Sequence, residues 1–325
     1  MNVRGPARRA ATAISAIACA LALAGAVQLR AAERSEITFP GERAYPESIT
    51  ATSDGTLIAG SLAEGGIFRV PPGATMAERW IPPGANDSMS TLGVLADEKS
   101  GTLWVCSSNL GPFGVSPPGG AKPVALKGFD LKSGAAKGSY PLPGEKTLCN
   151  DMVVGADGTV YVTDTFQPHV LRLKPESTTL EVWAENPAFG GEGPQLDGIA
   201  IGSDGNVYVN TYASGRLLRI EMGPGGQAGR VTQLETSEKL DHPDGMRSFR
   251  KDGLLIAEGG GRLSIARLAG DKAKIEVVKD GFKGPVSVVQ VGDIAWLLEA
   301  QLNTLFDPKA GKPTPFHAYA VPLPR

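Results

Sequence analysis

One oxygen-bearing residue ahead of a short apolar strand recurs almost from one end of this chain to the other. The copies are Pro46-Glu47-Ser48-Ile49, Leu148-Cys149-Asn150-Asp151-Met152, Leu196-Asp197-Gly198-Ile199 and Pro243-Asp244-Gly245-Met246. A Gly-containing turn follows each, then a second β-rich run. The turns are Asp54-Gly55, Ser100-Gly101, Asp157-Gly158, Asp204-Gly205, Asp252-Gly253 and a weaker Val291-Gly292-Asp293. Their glycines are spaced by 46, 57, 47, 48 and 39 residues. Asp-Gly between two β-rich runs is a strong hairpin signal. A period of about 40–50 residues carrying hairpins marks the blades of a propeller.

Third strands are read at Gly66–Val70, Val170–Leu173 and Leu217–Ile220, and fourth strands at Leu180–Trp183 and Ile275–Val278. Six four-stranded units account for the chain after its N-terminal segment. The predicted fold is therefore all-β, a six-bladed β-propeller with four-stranded blades around a central channel, occupying residues 33–325. A β-sandwich is the alternative, and it rarely keeps so long a period. The 42 Gly and 25 Pro among 325 residues suit a turn-dense β protein.

The first residues read differently. Arg4, Arg8 and Arg9 precede an uncharged apolar run from Ala10 to Val27, and Ala24-Gly25-Ala26 is a small-x-small cleavage pattern. Residues 1–26 are expected to be a secretory signal peptide, with a later cut near Ala31 or Ala32 as a variant and an uncleaved anchor as the alternative. The expected location is periplasmic or secreted, with no membrane attachment after cleavage. Beyond that segment two cysteines remain, Cys106 and Cys149. An oxidising compartment permits a disulfide between them, and two buried thiols are the alternative. The net charge of −2 offers no basic field for nucleic acid. No Gly-x-Ser-x-Gly elbow is present.

In a propeller, the first strand of each blade lines the channel, so the entry residues converge at one face. Glu47, Asn150, Asp197 and Asp244 hold that position in four repeats. Carboxylate and amide oxygens are hard donors that suit one divalent ion, Ca²⁺ first, with Mg²⁺, Mn²⁺ or Zn²⁺ as alternatives. Three converging negative charges would repel without a cation. Further candidates stand at the ends of the second strands: Ser61, Asn109, Asp164, Asn210, Tyr212, Glu258 and Glu299. Of these, Asp164, Asn210, Tyr212 and Glu258 are expected to bind substrate. His242, the histidine beside an entry motif, is a candidate general base; an exposed loop role is its alternative.

On these residues the chain resembles the senescence marker protein/gluconolactonase family of regucalcin-like lactonases. Glu47 in Pro-Glu-Ser matches that family's first-blade metal ligand, and Pro243-Asp244-Gly245-Met246 matches its closing Asp motif. Asn150 looks like its substrate-side Asn. Asp197 stands where the family has Asn, which makes the shell more anionic. The resemblance implies a six-bladed propeller with a channel metal and hydrolysis of a lactone or related ester, with Asp244 as the catalytic base. A non-catalytic propeller that binds a ligand or protein partner around a structural metal is the competing reading. The loops at residues 111–127 and 184–195 are expected to border the channel mouth. The C-terminal strand, His317 to Pro322, is expected to close the ring against the N-terminal blade.

Overall fold

The computed structural model describes residues 1–2, 34–251, 253–307 and 309–324. Apart from residues 1–2, the signal-peptide reading of residues 1–26, with its cleavage sites, falls outside the described residues, as does Asp252 of the fifth turn. Among the described residues, no helix is long and apolar enough to cross a membrane. Residues 34–325 form one unit, and its strands assort into six antiparallel sheets.

The first blade runs Pro46–Ala51, Leu57–Ser61, Ile67–Val70 and Glu78–Ile81. The second runs Ser90–Asp97, Thr102–Ser108, Ala125–Asp130 and Ala136–Pro141. The third runs Cys149–Val154, Val160–Asp164, His169–Leu173 and Glu181–Glu185. The fourth runs Leu196–Ile201, Val207–Thr211, Arg216–Met222 and Ala228–Gln233. The fifth runs Pro243–Phe249, Gly253–Glu258, Arg262–Ala269 and Lys272–Asp280, with the two-residue strand Glu235–Thr236 parallel on its outer edge. The sixth takes Pro285–Val291, Ile294–Glu299 and Phe316–Pro322 from the end of the chain, and Glu36–Phe39 from its beginning. Each innermost strand touches the next, and the first touches the sixth, so the ring is closed.

The hairpin turns follow from their chemistry. Asp54, Asp157 and Asp204 each accept a hydrogen bond from the backbone N–H two residues on, at 2.9–3.1 Å. The glycines between, Gly55, Gly158 and Gly205, sit at φ of 80 to 87°, a region costly for any side chain. Second strands such as Val207–Thr211 are buried along their whole length, because both faces of a blade pack on its neighbours. Outer strands such as Ala136–Pro141 are largely exposed and polar.

Closure differs from expectation. The strand Phe316–Pro322 does not join the N-terminal blade. It is the third strand of the sixth, and Glu36–Phe39 comes to it as the fourth, in the register Glu36↔Tyr319 to Phe39↔Phe316. The first blade already has four strands of its own, so the N-terminal strand is free to complete the last. The two cysteines are joined as a disulfide, with Cα atoms 5.1 Å apart. It ties the second strand of blade two to the entry of the innermost strand of blade three.

Candidate metal and substrate site at the channel mouth

Every innermost strand begins with a bulge. Its register against the second strand slips by one residue between Pro46 and Ile49, Thr91 and Val94, Cys149 and Met152, Leu196 and Ile199, Pro243 and Met246, and Pro285 and Ser287. A bulge bends a strand and re-aims the extra side chain. The first bulged residue of each blade is therefore turned to the channel: Glu47, Leu92, Asn150, Asp197, Asp244 and Val286. Four of the six carry oxygen donors. The second bulged residue is small in every blade but the third. A Cβ on Gly93 would lie 2.2 Å from the Asn150 carbonyl oxygen, and one on Gly198 would lie 2.4 Å from that of Asp244. Glycine at these places lets neighbouring entries close on the axis.

Glu47, Asn150, Asp197 and Asp244 line one pocket at the channel. All are buried, with Glu47 at 7% exposure, Asn150 and Asp197 at 6% and Asp244 at 5%. The Asn150 amide nitrogen donates to Thr165 Oγ1 at 2.9 Å and to Asp197 Oδ2 at 3.0 Å. Its carbonyl oxygen is thereby left for the channel. Glu47 Oε2 and Asp197 Oδ1 are buried without a hydrogen-bond partner, a costly state for a carboxylate oxygen. Burial pushes the Asp197 carboxyl up to about 7, and Asp151 adds to the shift. Burial raises Asp244 well above the usual carboxylate range, reinforced by the charges of Asp197 and Glu47. Burial likewise raises Glu47, with repulsion from Asp197 and Asp151. Asp197 and Asp244 are thus neighbouring buried acids, and burial is the largest cause of the rise at both.

Among the described residues, no three His, Cys, Asp or Glu side chains stand as a ready coordination shell. The fit to a hard cation rests instead on donor chemistry. Three carboxyls and one amide oxygen share one buried floor, and two of their oxygens are orphaned. That set suits Ca²⁺ or Mg²⁺ better than a softer metal.

One pair here escaped the sequence reading. Arg247, on the innermost strand of blade five, reaches across the channel to Asp151 of blade three, with Nη1 to Oδ2 at 2.6 Å and Nη2 to Oδ1 at 3.2 Å. Both residues stand beside recognised motifs, and only the closed ring reveals that they face each other. Arg247 is also the cation that offsets the rise at Glu47.

The second-strand candidates divide. Tyr212 lines the mouth near Asp244. Its phenol is pushed up by burial and by the charges of Asp244, Asp197 and Asp241, so it keeps its proton. Asp164, Asn210 and Glu258 do not line the mouth and are fully buried; Asp164 Oδ2 has no hydrogen-bond partner and stands 3.4 Å from His169 Nε2. Asp164 Oδ1 accepts from the Leu148 N–H at 2.9 Å, and Glu258 Oε2 from the Asp241 N–H at 2.7 Å. Glu299 accepts from Lys283 N–H at 2.6 Å in the same way. These carboxylates stand opposite the first residue of the innermost strand and fix the loop that leads into it. Asn210 donates to the Asp244 carbonyl at 2.7 Å and accepts from the Gly198 N–H at 3.0 Å, stitching two bulges together. His242 is half exposed, its Nδ1 2.7 Å from Asp241 Oδ1 and its ring against Tyr212.

Above the acids opens a cavity of about 550 Å³ with Glu47, Asn150, Asp197 and Asp244 in its lining. The two loops expected there contribute Phe113 and Pro194. A third contribution was not foreseen. The short helix Leu302–Phe306, between the second and third strands of blade six, supplies Leu302, Asn303 and Phe306. Tyr45 and Thr304 tie it to blade one through their hydroxyls, 3.0 Å apart.

No family model matches the chain, and a search of curated proteins returns no match. Solved structures do resemble it. A gluconolactonase from Xanthomonas campestris aligns with 88% of this chain and 89% of its own, at 14% identity and a TM-score of 0.61. A luciferin-regenerating enzyme aligns with 87% of this chain and 92% of its own, at 14% identity and a TM-score of 0.63. A virginiamycin B lyase from Staphylococcus aureus aligns with 87% of this chain and 82% of its own, at 16% identity and a TM-score of 0.58. The likeness to these enzymes is one of fold.

Proposed function

We infer that this chain is a hydrolase of a lactone or related ester that depends on a divalent ion and works in the periplasm or outside the cell. The observation that carries the reading is the meeting of Glu47, Asn150, Asp197 and Asp244 on the floor of one cavity, with orphaned carboxylate oxygens among them. The resemblance of the entry motifs to the gluconolactonase family, and the shared fold with a gluconolactonase, point the same way.

Glu47, Asp197, Asp244 and the Asn150 carbonyl oxygen would hold the ion. When bound, it supplies polarisation of the substrate carbonyl and neutralises the oxyanion that forms on it. The chain's own residues do the rest. Asp244 is the base: its carboxylate, made more basic by burial, takes the proton of the attacking water. One of its oxygens accepts from the Gly245 N–H at 2.9 Å, which fixes the carboxyl plane. A cation among these acids would favour their charged forms. Tyr212 keeps its proton and stands as a neutral donor near Asp244. Arg247 offsets part of the negative charge at Glu47, to which its partner Asp151 adds.

The test is turnover of a panel of small lactones by chelator-stripped protein, before and after Ca²⁺, Mg²⁺, Mn²⁺ or Zn²⁺ is returned. Turnover should come back with the ion and fall by about 10²–10⁴-fold in Asp244→Asn. An ion that raises thermal stability with no turnover of any lactone would replace this reading with that of a binding propeller.

A further inference from the structure

The walls of the cavity are as informative as its floor. Leu92 and Val286 take the channel-facing bulge position in blades two and six, where the other blades carry oxygen donors. Leu92 then continues into an apolar wall with Leu110, Phe113, Leu148, Phe166 and Phe306. No lysine, arginine or histidine lines the cavity among the described residues. The hydroxyl of Thr165 is already spent, donating to the Leu196 carbonyl at 2.7 Å and accepting from Asn150.

Surface phenyl rings are also concentrated here. Phe113, Phe166 and Phe306 are 49%, 39% and 43% exposed, and among the described residues no other phenylalanine is so open to solvent. All three border this mouth. Phe113 and Phe166 come from different blades, yet their rings stand 5.8 Å apart. Apolar surface gathered around a polar floor marks a place that an apolar ligand covers.

Resting on the hydrolase reading, we propose that the mouth selects lactones and esters carrying an apolar alkyl or aryl group, and disfavours polyhydroxylated sugar lactones. The carbonyl end sits among the acids, and the apolar group lies along the leucine and phenyl wall. Beyond the floor acids, Asn150 and Thr165, the polar side chains that line the cavity are Tyr212, Asn303 and Asp307. Against the leucine and phenyl wall a sugar lactone would lose water from several hydroxyls without replacement. An alkyl chain gains affinity with length, roughly fourfold for each methylene fully buried.

The experiment compares kcat/KM for unsubstituted γ-butyrolactone, its butyl- and hexyl-substituted homologues and glucono-δ-lactone. It also measures the affinity of the lactams matching the three γ-lactones, which serve as hydrolysis-resistant probes. Both quantities should rise with chain length, and the hexyl lactone should exceed the sugar lactone by more than about tenfold. Phe113→Ser and Phe166→Ser should flatten the chain-length slope, a comparison within each variant that loss of folded protein cannot mimic. A flat slope in wild-type protein, or a sugar lactone preferred over the hexyl homologue, overturns the proposal. Lactam affinity that climbs with chain length while no lactone is turned over would sink the hydrolase reading and leave the apolar selection standing.

Discussion

Arg247 pairs with one of the channel acids, and its worth is set by what it leaves behind when removed. Asp151 is buried and accepts both of its Nη groups. Truncation of one partner of a buried pair strands the other charge. Arg247→Met should therefore cost about 3–5 kcal/mol in urea unfolding, and Asp151→Leu in the same chain should recover most of that loss. An Arg247→Met protein as stable as wild type would show that the pair is an ornament of the channel. Residue identity made the four entry donors readable, because the repeat aligns them along the chain. The same identity misled at Asp164, Asn210 and Glu258. A carboxylate or amide at the end of a buried strand looks alike whether it faces a ligand or a backbone N–H. Only the register, which sets Asp164 against Cys149 and Glu258 against Pro243, tells which.

At the scale of the strand, the bulge is what turns a repeat into a site. A blade that lacked the extra residue would aim its entry side chain away from the face its neighbours share. The bulge also demands small residues behind it. At Gly198 a methyl group would meet the Asp244 carbonyl oxygen at 2.4 Å and the Met246 nitrogen at 2.7 Å, both backbone atoms of the next blade. Gly198→Ala should cost about 1–3 kcal/mol and lower turnover through the displaced Asp244. Unchanged melting and unchanged rates would mean that the ring yields more easily than its packing implies. The hairpins and their turns were legible because Asp-Gly has one cheap use in a β protein. The helix Leu302–Phe306 was not: five residues with no side-chain cap leave no periodic signal.

For the whole molecule, two devices hold a ring that has no core at its centre. One is the disulfide from Cys106 to Cys149, whose sequence separation of 43 corresponds to about 4 kcal/mol of unfolded-state entropy in the chain-constraint model. Cys106→Ser paired with Cys149→Ser should lower stability by an amount of that order, measured against oxidised wild type. Equal stability of the two proteins would assign the cysteines to packing alone. The other device is the seam in blade six. Six repeats announced a closed ring, but the strand that closes it was not legible, because Glu36–Phe39 is four residues long and carries no turn of its own.

That seam joins the first of the described strands to the last of them. Thr38 and His317 are register partners separated by 279 residues. At roughly 5–20 residues per second on the ribosome, about 14–56 s pass before the partner exists. Until the two strands meet, Glu36–Phe39 is an edge without a mate, and the other five sheets are complete without it. Closure of this ring therefore waits on a pairing between strands far apart in the chain, and anything that captures Glu36–Phe39 first competes with Phe316–Pro322.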